Sequence, residues 1–330
     1  MALSLSLIAL LLPGAGAWAV VPGYRAPLAN QYASIWQCGE RQPCPAGFAC
    51  LNSRLVVGVK GCFRGLSAIS ASQRRSGACP AGQFGGQGGQ QCQFDQECPG
   101  LQRCCVQGGR ASCTQPRAIP SQTTVKVLKD GAMRPAPAGQ QGFAVDTSIG
   151  LVQSQGKSIL FESGGLEDRG MLIDLLLKEG LYPEDIDAAI ASHGHADHIL
   201  NLDLFKDGTP ITCAFNLQGT AFIGNPLMMN QTYNPLGDRN LEVLCTGGHT
   251  NQDTVLIVRN AAGLGTVAFV GDLILAQANL GDPGTFFTAE QLKQAQSQIV
   301  CQQRPNYIVP GHGPMFQVTP NWKATNGFNC

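Results

Sequence analysis

All five histidines of this 330-residue chain stand in short motifs with metal-ligand spacing, each behind an apolar run that reads as a buried strand, and none is left over for another role. The first motif, His193-Gly194-His195-Ala196-Asp197-His198, follows the apolar residues 186–191. His249 lies in Thr246-Gly247-Gly248-His249-Thr250, Asp272 in Val270-Gly271-Asp272, and His312 in Pro310-Gly311-His312-Gly313-Pro314. One histidine beside a glycine is as easily a turn residue as a ligand. The set is different, because a site assembled at strand ends requires this placement every time. Imidazole nitrogen and carboxylate oxygen are the donors zinc and similar divalent cations take, and a catalytic site leaves a position open for water. The seven groups His193, His195, Asp197, His198, His249, Asp272 and His312 exceed the needs of one ion.

The order H-x-H-x-D-H, then G-H-T, G-D and G-H-G, resembles the metallo-β-lactamase superfamily over about residues 123–320. Within it, residues 192–205 and 307–316 are similar to the metallo-β-lactamase domain-containing protein 1 group. The resemblance implies that His193, His195 and His249 hold one metal, that Asp197, His198 and His312 hold a second, and that Asp272 bridges them. Two divalent cations are thus the expected cofactors, zinc first, with iron or manganese as alternatives. Asp197 and Asp272 are the candidate catalytic carboxylates. Two cations about 4 Å apart lower the pKa of a shared water and polarise the bond under attack, so the implied reaction is hydrolysis. Redox chemistry at iron would need a further cofactor-binding domain, and none is evident. One departure stands out: relatives carry Asp in a D-x-G turn that supports the ligand loop, and this chain has Glu162-Ser163-Gly164-Gly165.

Fourteen cysteines, ten of them between Cys38 and Cys113, point to disulfides and an oxidising compartment. Residues 1–19 read as a secretory signal peptide: an apolar run over 3–12, then small residues before a cleavage site at 17–19 or 15–17, although no Lys or Arg precedes the run. Pro13 and Gly14 cut that run short of a membrane span, and no later segment is long enough for one. The sequon Asn230-Gln231-Thr232 fits an exposed loop of a secreted protein. Residues 20–118 hold ten Lys/Arg against three Asp/Glu, a balance of +7, and residues 119–330 hold twelve against nineteen, a balance of −7. The basic half offers a surface for an anionic glycan or an acidic protein partner. The acidic half is a poor electrostatic match for nucleic acid.

Residues 20–78 form a cysteine-rich segment with little else to make a core, so disulfides among Cys38, Cys44, Cys50 and Cys62 are expected to staple it. Residues 79–113 are more legible. Cys79-Pro80, Cys92-x5-Cys98-x5-Cys104-Cys105 and Cys113 resemble the whey acidic protein (WAP) four-disulfide core, with the second and seventh cysteines of that module missing. The resemblance implies the pairs Cys79–Cys105, Cys92–Cys104 and Cys98–Cys113. Relatives inhibit proteases through the segment after the first cysteine; here it is glycine-rich and lacks the rigidity from which such a loop gains affinity. A spacer or docking role is the better reading.

Residues 114–122, with Pro116 and Pro120, read as a linker, and 123–330 as the catalytic domain. Strands are expected at 123–128, 150–155, 158–161, 211–214, 241–245, 254–258 and 266–270. Helices are expected over 166–178 and from Thr288, where Gln291 completes a capping box. Strands in groups with helices between and after them predict an α/β fold, two sheets covered by helices, in agreement with the αββα sandwich that the resemblance implies. Of the four later cysteines, Cys301 with Cys330 and Cys213 with Cys245 is the preferred pairing among three connectivities.

Only eighteen residues follow His312, too few for the helical substrate-gripping domain of glutathione-thioester hydrolases, and a separation of 23 positions from His249 to Asp272 leaves no room for the cap of RNA-cleaving relatives. The reading is a secreted dinuclear metal hydrolase acting on a small ester, thioester, lactone, lactam or phosphodiester. The alternatives are an endoribonuclease, as associated with the similar subgroup, and a non-catalytic binding or protease-inhibitor protein.

Overall fold

The computed structural model describes residues 24–27, 48–52, 60–65, 75, 77–80, 90–92, 95–107, 110–136, 138–139, 141–205, 209–213, 215–218, 221–224, 232–234, 236–281, 283 and 287–330. Residues 1–19, where a leader is expected, Cys38, Cys44, the glycine-rich segment 81–89 and the sequon asparagine Asn230 lie outside them. Two compact units are present: residues up to 117 together with 167–180, and residues 118–166 together with 181–330.

In the first unit, strands β1 (Tyr24–Pro27), β2 (Phe48–Asn52) and β3 (Lys60–Gly65) form an antiparallel sheet in the order β1-β3-β2, with Cys50 directly opposite Cys62. Strands β4 (Arg103–Gln107) and β5 (Arg110–Thr114) pair as a hairpin that sets Cys104 opposite Cys113. Among the described residues of this hairpin's module the bridges are Cys79–Cys105, Cys92–Cys104 and Cys98–Cys113, the three the WAP resemblance implies. Their sulfurs are most of the module's core, helped by buried Asp95, which accepts from the Cys104 amide at 2.7 Å and pairs with Arg103 at 3.3 Å. Helix α1 (Arg169–Lys178) belongs to this unit. The Cys79 amide donates to the Gly180 carbonyl at 2.8 Å, and the Arg117 guanidinium donates to the Glu179 carbonyl, so module groups satisfy carbonyls just past the helix end that the helix cannot satisfy itself. Gly180 has φ +73° and a Cβ there would lie 1.8 Å from the Cys79 carbonyl oxygen, so only glycine fits.

The second unit is a sandwich. Its first sheet runs β14-β13-β12-β11-β10-β9-β6, from β6 (Thr124–Lys129), β9 (Ile149–Ser154), β10 (Lys157–Phe161), β11 (Ala188–Ile190), β12 (Thr209–Ile211), β13 (Phe215–Gln218) and β14 (Ala221–Gly224). A separate ribbon, β7 (Ala132–Pro135) and β8 (Phe143–Asp146), interrupts the run from β6 to β9. The second sheet runs β15-β16-β17-β18-β19-β20, from β15 (Thr232–Tyr233), β16 (Leu241–Thr246), β17 (Asp253–Ala261), β18 (Gly265–Gly271), β19 (Tyr307–Pro310) and β20 (Phe316–Gln317). Val152, Ile159, Phe161 and Ile190 of the first sheet meet Val243, Leu256, Val258 and Phe269 of the second in one buried core. Gly150 of β9 permits this approach: a Cβ there would stand 2.1 Å from the Phe269 ring. The outer face of the second sheet packs Leu244, Val255, Ile257 and Ala268 against Leu292 and Ala295 of α3 (Ala289–Ser297), the following π-helix (Gln298–Gln303) and Trp322 of α4 (Pro320–Thr325).

Expected strands and helices recur with shifted ends. The helix placed at 166–178 begins as a 3-10 turn, Leu166–Asp168, before α1, a common way for a helix to start. The strand placed at 211–214 ends at Ile211, and Cys213 beyond it bridges to Cys245 of β16, while Cys301 bridges to Cys330. The Thr288–Gln291 capping box forms as the sequence predicts. Among the described residues, no helix is long and apolar enough to cross a membrane.

Candidate metal centre

Five strand ends converge on one edge of the sandwich. β10 and β11 are parallel neighbours, so Glu162 and the loop 192–198 emerge side by side. β18 and β19 are parallel, and β16 shares their direction because both β16 and β18 are antiparallel to β17; His249, Asp272 and His312 therefore leave the second sheet on the same side. His195 is the N-cap residue of the one-turn helix α2 (Ala196–Ile199), which turns Asp197 and His198 back toward the sheets. The Thr254 amide donates to the Ser192 carbonyl at 2.6 Å and ties the motif loop to the second sheet. Gly271, at φ +52°, lets Asp272 pass close to this loop, since a Cβ on it would lie 2.3 Å from the Ser192 hydroxyl.

Two groups of donor atoms result. In the first, His193 Nε2 lies 2.7 Å from His195 Nδ1, and His249 Nε2 lies 3.2 Å from the same atom. In the second, His198 Nε2 is 3.2 Å and His312 Nε2 3.6 Å from Asp197 Oδ2. Asp272 stands between them: Oδ2 is 3.9 Å from His193 Nε2 and 3.6 Å from His249 Nε2, Oδ1 is 3.4 Å from His198 Nε2, and His312 Nε2 faces both oxygens, 3.1 Å from Oδ1 and 3.2 Å from Oδ2. The donors of His193, His195, His249 and Asp272 lie within 4.8 Å of one another, as do those of Asp197, His198 and His312. Four ligands in a tetrahedron at zinc distances of ~2.0–2.1 Å stand about 3.3 Å apart, and the separations of 2.7 to 3.9 Å within the first set bracket that value. Two buried atoms pointing into the cluster, His198 Nε2 and Asp272 Oδ1, have no partner in hydrogen-bonding geometry. Three imidazole nitrogens and a carboxylate facing one point fit a bound cation.

Neighbouring groups fix which nitrogen each ring presents. The Ser192 hydroxyl is 2.8 Å from His193 Nδ1. His312 Nδ1 donates to the Asp146 carbonyl at 3.0 Å. Glu162 accepts the Ser192 amide on Oε2 at 3.2 Å and places Oε1 3.1 Å from His198 Nδ1, so its longer arm reaches the ligand loop. Asp253, buried, accepts the amides of His249 and Thr250 at 2.9 Å and the Thr250 hydroxyl at 2.7 Å, shaping the His249 turn. The Thr147 hydroxyl donates to Asp197 Oδ2 at 3.1 Å. Sequence reading singled out neither Asp253 nor Thr147.

Electrostatics separates the two groups. Burial, with His198, His249 and His195 nearby, pushes His193 down to about 2 against the pull of Asp272, so the ring is neutral. Burial and His249 lower His195 as well. Burial works against a charged His198 too, but Glu162, Asp197 and Asp272 outweigh it and raise its pKa well above the usual histidine range. His312 is raised in the same contest by Asp272. Burial would raise Asp197 and Asp272, yet His198 and His312 hold both below the usual carboxylate range. Burial raises Asp253 to about 6.

A double-sheet sandwich with this His/Asp cluster at its edge defines the class, and the chain belongs to the metallo-β-lactamase superfamily. The family description "Metallo-beta-lactamase superfamily" matches residues 142–214, and "WAP-type (Whey Acidic Protein) 'four-disulfide core'" matches residues 75–116. Metallo-beta-lactamase domain-containing protein 1 of Xenopus laevis is 30% identical over 198 residues, covering 60% of this chain and 83% of its own. The protein of the same name from Mus musculus is 33% identical over 193 residues, covering 54% and 72%. An N-acyl homoserine lactone hydrolase solved with N-hexanoyl-L-homoserine at its catalytic metal centre is 17% identical, with a TM-score of 0.42 over 58% of this chain and 93% of that one.

Proposed function

We propose that this chain is a secreted, metal-dependent hydrolase that holds two divalent cations, zinc first among candidates, and cleaves a small ester, thioester, lactone, lactam or phosphodiester. The observation that carries the reading is the placement of Asp272: its carboxylate stands against two sets of donors, His193, His195 and His249 on one side, Asp197, His198 and His312 on the other. When bound, the cations would supply a low-pKa water and polarise the scissile bond.

The chain's own groups do the rest. Neutral His193 and His195 offer lone pairs without losing a proton. Asp197, with 27% of its side chain exposed, is the carboxylate of the set open to solvent; held below the usual carboxylate range, it would be ionised at neutral pH and placed to help hold a cation and to accept a hydrogen bond from an attacking water. His195, on the exposed rim, marks the side from which substrate enters. Disulfides in both units and a WAP module support an extracellular setting.

Metal analysis of the purified protein, followed by assay on ester, thioester, lactone, lactam and phosphodiester substrates, tests the proposal. Two equivalents and turnover that Asp272→Ala abolishes are expected. At most one equivalent under saturating cation refutes the two-metal arrangement; activity surviving both Asp272→Ala and chelation refutes the site.

A further inference from the structure

The ligands of the second set share a feature the first set lacks. Three consecutive residues, Asp146, Thr147 and Ser148, form the turn between β8 and β9, and each touches a segment that carries a donor of the second set. Asp146 gives its carbonyl to His312 Nδ1 at 3.0 Å. Ser148 straddles His312: its amide donates to the Gly311 carbonyl at 2.8 Å and its hydroxyl to the Gly313 carbonyl at 2.9 Å. The Gly131 amide in turn donates to the Ser148 hydroxyl at 3.0 Å, fixing the turn to the start of β7. Thr147, fully buried, points its hydroxyl at Asp197 Oδ2, the oxygen that also faces His198 Nε2 and His312 Nε2.

From this juxtaposition we infer that Thr147 is a positioning residue dedicated to the second cation. This rests on the two-cation reading above. An aspartate side chain can rotate about two bonds, and Asp197 is the least buried member of its set, so without a fixed donor its carboxylate would sample orientations in which Oδ2 leaves the line of His198 and His312. The Thr147 hydroxyl removes that freedom while leaving the donor oxygen's remaining lone pair directed at the two imidazoles. Among the described residues, no such contact joins the turn to His193, His195 or His249; Asp253 shapes the His249 loop, and the Ser192 hydroxyl is shared between His193 Nδ1 at 2.8 Å and His198 Nδ1 at 3.3 Å. Loss of an outer hydrogen bond of this kind typically costs 10–100-fold in metal affinity.

The test is titration of the metal-free full-length protein with Co2+, followed by its visible absorption, for wild type, Thr147→Val and Thr147→Ser. Val matches the shape of Thr and removes only the hydroxyl; Ser restores it. The expected result is two equivalents bound by wild type, an unchanged first equivalent in Thr147→Val with the second weakened about 10–100-fold, and recovery of the second in Thr147→Ser. Equal weakening of both equivalents would mean that Thr147 serves the fold generally, and unchanged binding in Thr147→Val would mean the contact is idle; either overturns the inference while leaving the two-cation reading standing. A wild-type protein that takes up one equivalent overturns both.

Discussion

Replacing Glu162 by glutamine changes one atom and puts a definite load on the site. The carboxylate accepts the Ser192 amide at 3.2 Å on Oε2 and sets Oε1 3.1 Å from His198 Nδ1 as an ion pair, and so joins the first residue of the ligand loop to its last. Glutamine keeps one acceptor oxygen and turns an amide N–H toward the other donor, so one of the two contacts is lost whichever way the amide lies. A hydrogen bond to a charged group contributes about 1.5–3 kcal/mol, and a buried donor left without a partner costs a similar amount. In the metal-free protein this should appear as a fall in melting temperature of about 3–12 °C, from ~2–4 °C per kcal/mol for a domain of this size. In the metal-loaded protein it should appear as about 10–100-fold weaker binding of the cation held by His198, with the His193, His195 and His249 set unchanged. Chelator competition gives the stepwise affinities and circular dichroism gives the melting curve. Glu162→Asp should fall between: it keeps the charge and suits the left-handed backbone at φ +70° better than glutamate does, but its arm is one methylene too short to span both donors. If glutamine leaves both the melting temperature and the second affinity at wild-type values, the carboxylate is a bystander and the reasoning fails.

The two sets should also part company on acidification. A raised pKa at His198 and His312 means that protons compete for those nitrogens at higher pH, whereas His193 and His195, lowered by burial, stay neutral; the second cation should leave first as pH falls, and metal content measured against pH would show release in the opposite order if this is wrong. Asp253→Ala strands the amides of His249 and Thr250 and should weaken the first cation rather than the second, the reverse of Glu162→Gln, in the same chelator competition. Gly150→Ala drives a Cβ to 2.1 Å from the Phe269 ring and should destabilise by about 1–3 kcal/mol in denaturant unfolding, with partial recovery when Phe269→Leu makes room; a neutral result would mean the sheets do not meet as described.

That these seven side chains gather in one place was legible because they are rare residue types placed after apolar runs, and a strand end is where a loop can hold a side chain rigidly. Glu162 was legible as a departure, and the structure sets its carboxylate against Ser192 and His198 of the motif loop. Thr147, Ser148 and Asp253 were not: threonine, serine and aspartate are ordinary turn residues, and nothing local marks a hydroxyl that reaches a carboxylate 50 positions away. The β7–β8 ribbon was missed because Pro135, Pro137, Gly139 and Gly142 break its alternation, and pairing across the gap restores what the pattern hides. The strand over 211–214 was placed late because Cys213 reads as apolar, while its sulfur is committed to Cys245. The membership of α1 in the cysteine-rich unit could not be read at all. It depends on meetings such as Arg117 with Glu179, 62 positions apart.

That last pairing has a consequence for the order of events during synthesis. Residues 75–117 emerge from the ribosome before Glu179 and Gly180 exist, so the module's bridges can be made by oxidation while the carbonyls that receive the Cys79 amide and the Arg117 guanidinium have yet to be translated. The first unit is therefore begun early and finished late, by a helix encoded inside the stretch that builds the sandwich. An exon or gene fragment ending at Arg117 would carry all three cysteine pairs of the module and none of its helix, and grafting it onto another protein would transplant a body with its docking edge bare.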